Sequence, residues 1–381
     1  MDLVRQEIMT GADTIVVKVG TRVLTGGQGK LEVRQVESIA SQLALLWHSG
    51  RRVALVSSGA VGAGLGRLGA GRRPDDLADL QAAAAIGQSC LIEAYNRALQ
   101  PHDLHAAQVL LTAGDLQDRK RYLNVRNTIF ALFRAGAVPI INENDTVSTE
   151  ELQLSFGDND RLAALVTQLI RAPLLVLLSD IDGLYDGDPS DPASKVLPLV
   201  TDLDRAQSEM VHDGRPFVDA HLSLGGMAGK LQAARIATTA GENVVIANGW
   251  RDGVLQEIIA GNQIGTLLLA EGKAVASRKR WIGWSARPRG RLTLDAGAER
   301  AIQSEGRSLL AVGVVDVEGR FDKGDVVGLI GGDGHEIARG LTNYSVSEMR
   351  TIAGHPTDCI AQLLGHCPYD EAIHRDHLVL L

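Results

Sequence analysis

Between Pro139 and Arg161 the chain reads PIINENDTVSTEELQLSFGDNDR, and this stretch restricts the fold more than any other. An apolar run, Val138 to Ile141, stops at the polar cluster Asn142, Glu143, Asn144 and Asp145. A second cluster, Asp158, Asn159, Asp160 and Arg161, stands directly before an apolar run at helical spacing. Open α/β sheets place their ligands where strands run out at their carboxyl ends, beside the starts of helices. One such cluster alone is as readily a turn or an Asp/Asn helix cap. Two of them, each reaching Asp at an element terminus, point to a site that grips a small charged or amino-bearing substrate.

The 381 residues suffice for two or three domains at about 150 residues each. A hydrophobic share of 45% with 22% charged residues is that of a globular chain able to bury a large core without staples. The net charge of −8 argues against a surface built for nucleic acid. Three cysteines, Cys90, Cys359 and Cys367, are too few and too odd a set for a disulfide framework, and fit a reducing compartment. The first residues, MDLVRQEIMTGAD, lack the apolar core of a signal peptide. No apolar run approaches the roughly 20 residues needed to span a bilayer. A cytosolic protein without membrane contact is expected.

The order of elements predicts a parallel sheet. Thr14–Val19 is a β-branched strand with Lys18 near its end and Gly20 after it. A lysine there can reach a phosphate or simply snorkel from an edge strand. Residues 31–47 carry apolar side chains at helical spacing, with Gly50 as the stop, and 52–56 form the next strand. Strand, helix and strand of these lengths make a right-handed crossover. The glycine-rich run SSGAVGAGLGRLGAG follows. Its Gly64-x-Gly66-x-x-Gly69 is not a dinucleotide fingerprint, because it does not sit in the turn directly after the strand. A surface loop, or a loop whose N–H groups approach an anion, is expected here, with Ser58 and Gly59 best placed.

Residues 77–99 read as a long Ala-rich helix, 106–111 as a strand, 119–133 as a helix and 162–170 as another. The strand 174–178 delivers Ser179 and Asp180 into the turn-rich IDGLYDGDP. GGMAGK, Gly225 to Lys230, precedes a helix expected over 231–240. Glycines and a lysine at a helix start suit a phosphate, although the spacing is not that of a Walker loop. Strands at 243–247 and 266–269 close the first domain. The basic segment RKRWIGWSARPRGR changes the texture, and short β-like runs follow at 291–294, 309–316, 326–330 and 337–340. The expected architecture is an open, mostly parallel sheet between helices over 1–277, a linker over 278–290 and a small β-barrel over 291–381. The charges of the β-barrel part are expected nearly to balance, so no basic binding face is evident. His355, Cys359, His366 and Cys367 match no zinc spacing.

Lys18, Ser58-Gly59, Asn144-Asp145 and Ser179-Asp180 thus gather at strand ends, with two lysines beside glycines and acidic clusters between them. No nucleophile with its base appears, and no Cys/His metal cluster. Such a set fits phosphoryl transfer, which needs positioning and charge neutralisation more than covalent chemistry.

The segments VVKVGTRVLTGG, VSSGA, INENDTV, FGDNDRLAAL, LLSDIDGLYDGDP and GGMAGKLQAA, in this order, resemble the amino acid kinase family, specifically its members that phosphorylate L-glutamate. The C-terminal part, with RKRWIGW before it and the late IAGH and HRD, looks like a PUA domain. The resemblance implies ATP-dependent phosphorylation of the side-chain carboxylate of L-glutamate, at the first step of proline synthesis. It implies a catalytic set of Lys18, Lys230 and Asp160, the lysines neutralising the transferring phosphoryl group and Asp160 holding them. Ser58, Asp145, Asn159, Asn144 and Asp158 would bind glutamate, with Asp145 on its ammonium group. Lys18, Gly20, Gly59, Ser179, Asp180 and the segment Leu224, Gly225, Gly226, Met227, Ala228, Gly229 and Lys230 would contact ATP.

Mg²⁺ would accompany the nucleotide, and no protein metal site is expected. Proline would inhibit at a site overlapping that of glutamate, with Thr146 to Phe156 as the mobile part. A homo-oligomer is expected and a nucleic-acid partner is not. The chain departs from the family pattern at Leu224 and Gly229, where Thr is usual, so a hydroxyl contact to ATP is expected to be missing. The alternatives are another carboxylate kinase of the same fold, or an RNA-binding protein acting through the PUA-like part.

Overall fold

The computed structural model describes residues 3–25, 30–70, 72–147, 159–189, 191, 193–203, 206, 226–271, 282–283, 286–367 and 369–381. The chain divides into two units, residues 1–115 with 122–274, and residues 116–121 with 275–381.

The first unit is built on an eight-stranded sheet. Its strands are β1 (Thr14–Val19), β2 (Arg52–Ser57), β3 (His105–Leu111), β4 (Ala137–Glu143), β5 (Leu174–Ser179), β6 (Leu199–Val200), β7 (Asn243–Asn248) and β8 (Thr266–Leu268), in spatial order β3-β4-β2-β1-β5-β7-β8-β6. All pairings are parallel except β7 with β8. The helices are α1 (Leu3–Gly11), α2 (Thr21–Thr25), α3 (Val33–His48), α4 (Ala60–Leu68), α5 (Leu77–Leu99), α6 (Ala113–Gln117), α7 (Arg119–Arg134), α8 (Asn159–Ile170), α9 (Met227–Thr239) and α10 (Val254–Ile259).

β1 lies at the centre, with β2 on one side and β5 on the other. Every residue of TIVVKV is buried. A parallel strand covered on both faces reads as an unbroken apolar run, which is why this segment was legible as a strand. Each fully buried Val or Ile contributes about 1.5–3 kcal/mol, so a lysine in this strand must have a specific partner. The chain leaves β1 towards β2 and later returns on its other side with β5. The carboxyl end of β1 is therefore the topological switch point, where an open α/β sheet forms its crevice.

The register sets the composition of that crevice. Lys18 stands level with Val56 of β2 and Leu177 of β5, Val56 with Ile141 of β4, and Leu177 with Ile246 of β7. One or two residues further along, the strands present Ser57 and Ser58, Asn142 and Glu143, Ser179, and Asn248. Polar side chains thus line the carboxyl edge as a layer.

The glycine-rich run is not a loop. Residues 60–68 form α4, with Gly59 as its N-cap in the left-handed region at φ 96°. Gly64 and Gly87 let α4 and α5 meet backbone to backbone. A Cβ on Gly64 would lie 1.8 Å from the carbonyl oxygen of Ala83, and one on Gly87 would lie 1.7 Å from that of Ala60. These glycines serve helix packing, and loop flexibility is not their purpose. Gly87→Ala should accordingly lower stability by about 3 kcal/mol, because backbone must move to admit the methyl group. A denaturant midpoint equal to wild type would refute this.

Other boundaries also differ from the expectation, among them the start of α8, at Asn159 and not Leu162. β4 does not stop at Ile141 but runs through Asn142 and Glu143. α9 begins at Met227, not Leu231. The expected strand 309–316 is a short 3-10 turn, Ala311–Gly313, followed by a strand from Val314.

The second unit holds a five-stranded sheet of β9 (Gly290–Leu294), β10 (Val314–Gly319), β11 (Val326–Ile330), β12 (Glu336–Leu341) and β13 (Leu378–Leu380), in order β10-β9-β11-β12-β13. Only β9 with β11 is parallel. Its core includes Leu292, Val327, Leu329, Met349, Ile360 and Ile373. Residues 290–381 hold eight Lys/Arg against fourteen Asp/Glu, so this part is acidic and its charges do not balance as expected.

Candidate active site

At the switch point a buried carboxylate bridges two buried lysines. Asp160, in the first turn of α8, is fully enclosed. Its Oδ1 forms an ion pair with Lys18 Nζ from β1, and its Oδ2 lies 3.5 Å from Lys230 Nζ, in the first turn of α9. Three elements far apart in sequence thus meet on one side chain. A buried charge costs several kcal/mol unless it is paired, so each member requires the others. Among the described residues, two ammonium groups thus meet on one carboxylate.

The start of α9 adds donors. Gly226 is its N-cap and offers no side-chain cap, while Gly229 N and Lys230 N bond back to Gly226 O. The N-terminal dipole and free N–H groups of a helix favour an anion. Met227, Ala228 and Gly229 belong to this first turn, so the backbone is helical where a loop was expected. Leu224 and Gly225 lie outside the described residues, as does Asp158.

On the other flank, Asn159 Nδ2 donates to Ser58 Oγ (3.0 Å), to Asn142 Oδ1 (2.9 Å) and to Ser57 O (3.4 Å). Asn159 Oδ1 is buried and has no hydrogen-bond partner among the described residues. A buried unsatisfied acceptor requires an explanation, and a ligand donor supplies one. Asn142, named in the first polar cluster but given no role from sequence, is a hub, since its Oδ1 also accepts from Glu143 N (2.9 Å). Behind the cluster, the Tyr95 hydroxyl of α5 lies 3.2 Å from Ser57 Oγ. Burial raises the Tyr95 phenol far above its usual range, so it stays a neutral prop.

Asp145 and Asn144 stand apart from this network. Asn144 Oδ1 accepts from Thr146 Oγ1 (2.6 Å), a local turn contact. Asp145 is half-buried, and burial raises its carboxyl to about pH 6 against the lowering effects of a Gln88 hydrogen bond and of Arg73. Gln88 also donates to Glu143 O (3.3 Å), tying the turn to β4 and α5. Of the segment Thr146 to Phe156, residues 148–156 lie outside the described residues.

The carboxylate of Asp145 has a consequence for pH. Its folded-state value lies above the ordinary 3.8, so its charge opposes folding above about pH 6 and that cost vanishes as pH falls towards 4. Asp145→Asn should therefore stabilise the ligand-free protein at pH 7, by on the order of 1 kcal/mol after allowance for partial exposure. The same variant should lose affinity for an amino-bearing substrate. In the wild type, the expected role of Asp145 on the substrate's ammonium group requires that affinity to weaken as pH falls through about 6, where the carboxylate loses its charge. A substrate KM that is flat between pH 5 and 7 would remove Asp145 from the site.

On the β5 side, burial raises the Asp180 carboxyl, but hydrogen bonds from Arg22, its own backbone and Ser179, with the charge of Arg22, hold it below its usual range overall. The pair Arg22–Asp180 is 2.9 Å long, and Ser179 Oγ donates to Asp180 Oδ1 (3.1 Å). Gly20 lies beside Lys18, where an added Cβ would come 3.8 Å from its Nζ. The N–H groups of Gly20 and Ser58 are already engaged, by Leu178 O and Val19 O. Ser58 N is therefore no anion donor, contrary to the loop expectation, because the chain there still continues the β1–β2 ladder.

Among the described residues no group of three or more His, Cys, Asp or Glu side chains could hold a metal. Cys90, Cys359 and Cys367 are free. No described helix is long and apolar enough to cross a membrane.

Comparison with known proteins agrees with this geometry. The amino acid kinase family model matches residues 13–248, and the PUA domain model matches residues 290–364. Glutamate 5-kinase from Rhodopirellula baltica is 47% identical over 377 residues, covering 99% of this chain and 96% of that one. Glutamate 5-kinase from Moorella thermoacetica is 45% identical over 375 residues, covering 98% and 97%. Among solved structures, carbamate kinase from Giardia lamblia bound to AMP-PNP aligns with a TM-score of 0.50 at 17% identity, over 69% of this chain and 100% of that one. At that identity the likeness is one of fold. With its family model spanning the whole switch-point site, the chain belongs to the amino acid kinase family, in the branch that holds these glutamate 5-kinases.

Proposed function

We propose that the chain transfers the γ-phosphoryl group of ATP to the side-chain carboxylate of L-glutamate, giving L-glutamyl 5-phosphate, the first step of proline synthesis. The observation that carries this reading is Asp160 buried between Lys18 and Lys230 at the switch point. A carboxylate oxygen attacking phosphorus brings two anions together, and the leaving ADP takes up further negative charge. Two preorganised, buried ammonium groups counter both effects. Asp160 is a positioning residue that fixes the two lysines.

The substrate's amino group fits the Ser58–Asn159–Asn142 cluster, whose buried Asn159 Oδ1 offers an acceptor. Asp145 supplies the counter-charge. ATP would lay its phosphates between Lys18 and the start of α9. Its nucleoside would run past Ser179 towards Asp182 and Asn248, a carboxylate and amide 2.9 Å apart. Mg²⁺ enters this account with the nucleotide, on its phosphate oxygens. The described side chains make no cage for it, so no step is assigned to a protein-bound ion.

The same reading includes a cytosolic, homo-oligomeric enzyme inhibited by proline in competition with glutamate. Proline inhibition that glutamate does not relieve would contradict that part. The main test is trapping of the acyl phosphate as a hydroxamate with a panel of carboxylates. Product is expected with L-glutamate and ATP together. Product with aspartate or N-acetylglutamate alone would move the chain to another carboxylate kinase of this fold.

A further inference from the structure

Arg5, on α1, has no exposed surface. Its guanidinium donates to four backbone carbonyls, with Nη1 to Asn262 O (3.2 Å) and Ile264 O (2.8 Å), and Nη2 to Pro198 O (2.6 Å) and Gly265 O (2.9 Å). Charge-assisted bonds of this kind are about twice as strong as neutral ones. The fork of an arginine also fixes the direction of each acceptor.

Three of those four residues, Pro198, Ile264 and Gly265, line a cavity of about 350 Å³, together with Asp182, Val196 and Asn248. The volume is within the range of small-ligand sites. The cavity opens at the carboxyl edge of β5 and β7, where Asn248 is the register partner of Ser179. β1 and β7 are separated by β5 alone. Two strand spacings are about 10 Å, comparable to the span from the terminal phosphate of a nucleotide to its sugar. Gly265, at φ +65°, leaves no room for a side chain, since a Cβ would lie 2.2 Å from Ile246 O. The wall is therefore pressed against β7 on one side and tied to Arg5 on the other.

We infer that Arg5 is a positioning residue for the nucleoside half of ATP, holding the Pro198 and Ile264–Gly265 wall in its binding shape before the nucleotide arrives. This rests on the proposal that ATP occupies that end of the crevice. A wall ordered in advance spares the nucleotide the entropy of ordering it. Loss of the tie should appear as nucleotide affinity, with catalysis at saturation preserved.

The test compares wild type, Arg5→Lys and Arg5→Gln by melting temperature, by displacement of a fluorescent ATP analogue, and by hydroxamate formation. The expected result is nucleotide affinity weakened ~10-fold in the Gln variant and less in the Lys variant, about 1.4 kcal/mol for the former. KM for glutamate should stay within about twofold, and kcat at saturating ATP near wild type. Should Arg5→Gln not fold, Arg5→Lys alone must still shift nucleotide affinity. A lower melting temperature with unchanged nucleotide affinity in the folded variants overturns the inference and leaves Arg5 a plain anchor. Arg5-dependent nucleotide binding without glutamyl hydroxamate would keep the inference and overturn the glutamate assignment.

Discussion

Lys230→Ala should leave the chain folded, with kcat lowered about 10³-fold and KM for glutamate nearly unchanged. The reason is the timing of the charge. Lys230 approaches the site from the first turn of α9 and pairs with Asp160 at 3.5 Å, the looser of the two lysine contacts. Its ammonium can follow the phosphoryl group as negative charge moves onto the leaving oxygens. An interaction that strengthens only in the transition state lowers kcat when removed and leaves ground-state binding alone. The fold should tolerate the change because Asp160 keeps Lys18 as its counter-ion. Steady-state kinetics in glutamate at saturating ATP decide the matter. A rise in glutamate KM at constant kcat would make Lys230 a substrate-binding group instead.

Asp160→Asn should damage both activity and stability. The amide keeps the shape but removes the negative charge that meets both buried ammonium groups. Removing one partner of a buried ion pair typically costs 3–5 kcal/mol, because the other charge is left uncompensated. Activity should fall about 10²-fold or more, since the lysines lose the group that aims them. Thermal unfolding and kcat measured on the same preparation should move together. A variant as stable and as active as wild type would show that the bridge is incidental. The double variant Asp160→Asn with Lys230→Ala should cost less than the sum of the two single changes, because the three side chains act as a unit.

How far the sequence carried this account depended on the kind of signal. β1 and β5 were legible because strands buried on both faces are almost uninterrupted apolar runs, TIVVKV and LLVLLS. α5 was legible to the residue, since a long Ala-rich run bounded by Asp76 and Pro101 has one reading. Residues 60–68 were not, because glycine punctuates loops in most contexts. Only the facing Gly87, more than twenty residues away in sequence, shows why α4 tolerates it.

The role of Asn142 within its cluster was hidden for another reason. Polar residues at the end of an apolar run usually mark the end of the strand, but here the ladder with β3 continues through Glu143. The signal that could have exposed it is the level of its neighbours, since Ser57 ends β2 and Ser58 follows it in the same polar layer. Tyr95 and Gln88, on the inward face of α5, gave no local sign at all. Their spacing of seven residues puts both on one helical stripe, but only the packing of α5 against the sheet turns that stripe towards the site.

The central claim is that a glutamate carboxylate oxygen attacks the γ-phosphorus while the Lys18–Asp160–Lys230 bridge holds the charge. It is tested most directly with L-glutamate labelled with ¹⁸O in its side-chain carboxylate, turned over with ATP in hydroxylamine. Attack by the carboxylate leaves a labelled oxygen bridging carbon and phosphorus. Hydroxylamine then takes the acyl carbon and releases phosphate carrying one labelled oxygen, visible as a shifted ³¹P resonance. The account predicts labelled phosphate in step with hydroxamate. Unlabelled phosphate released in step with ADP would mean that water is the acceptor, and would contradict it.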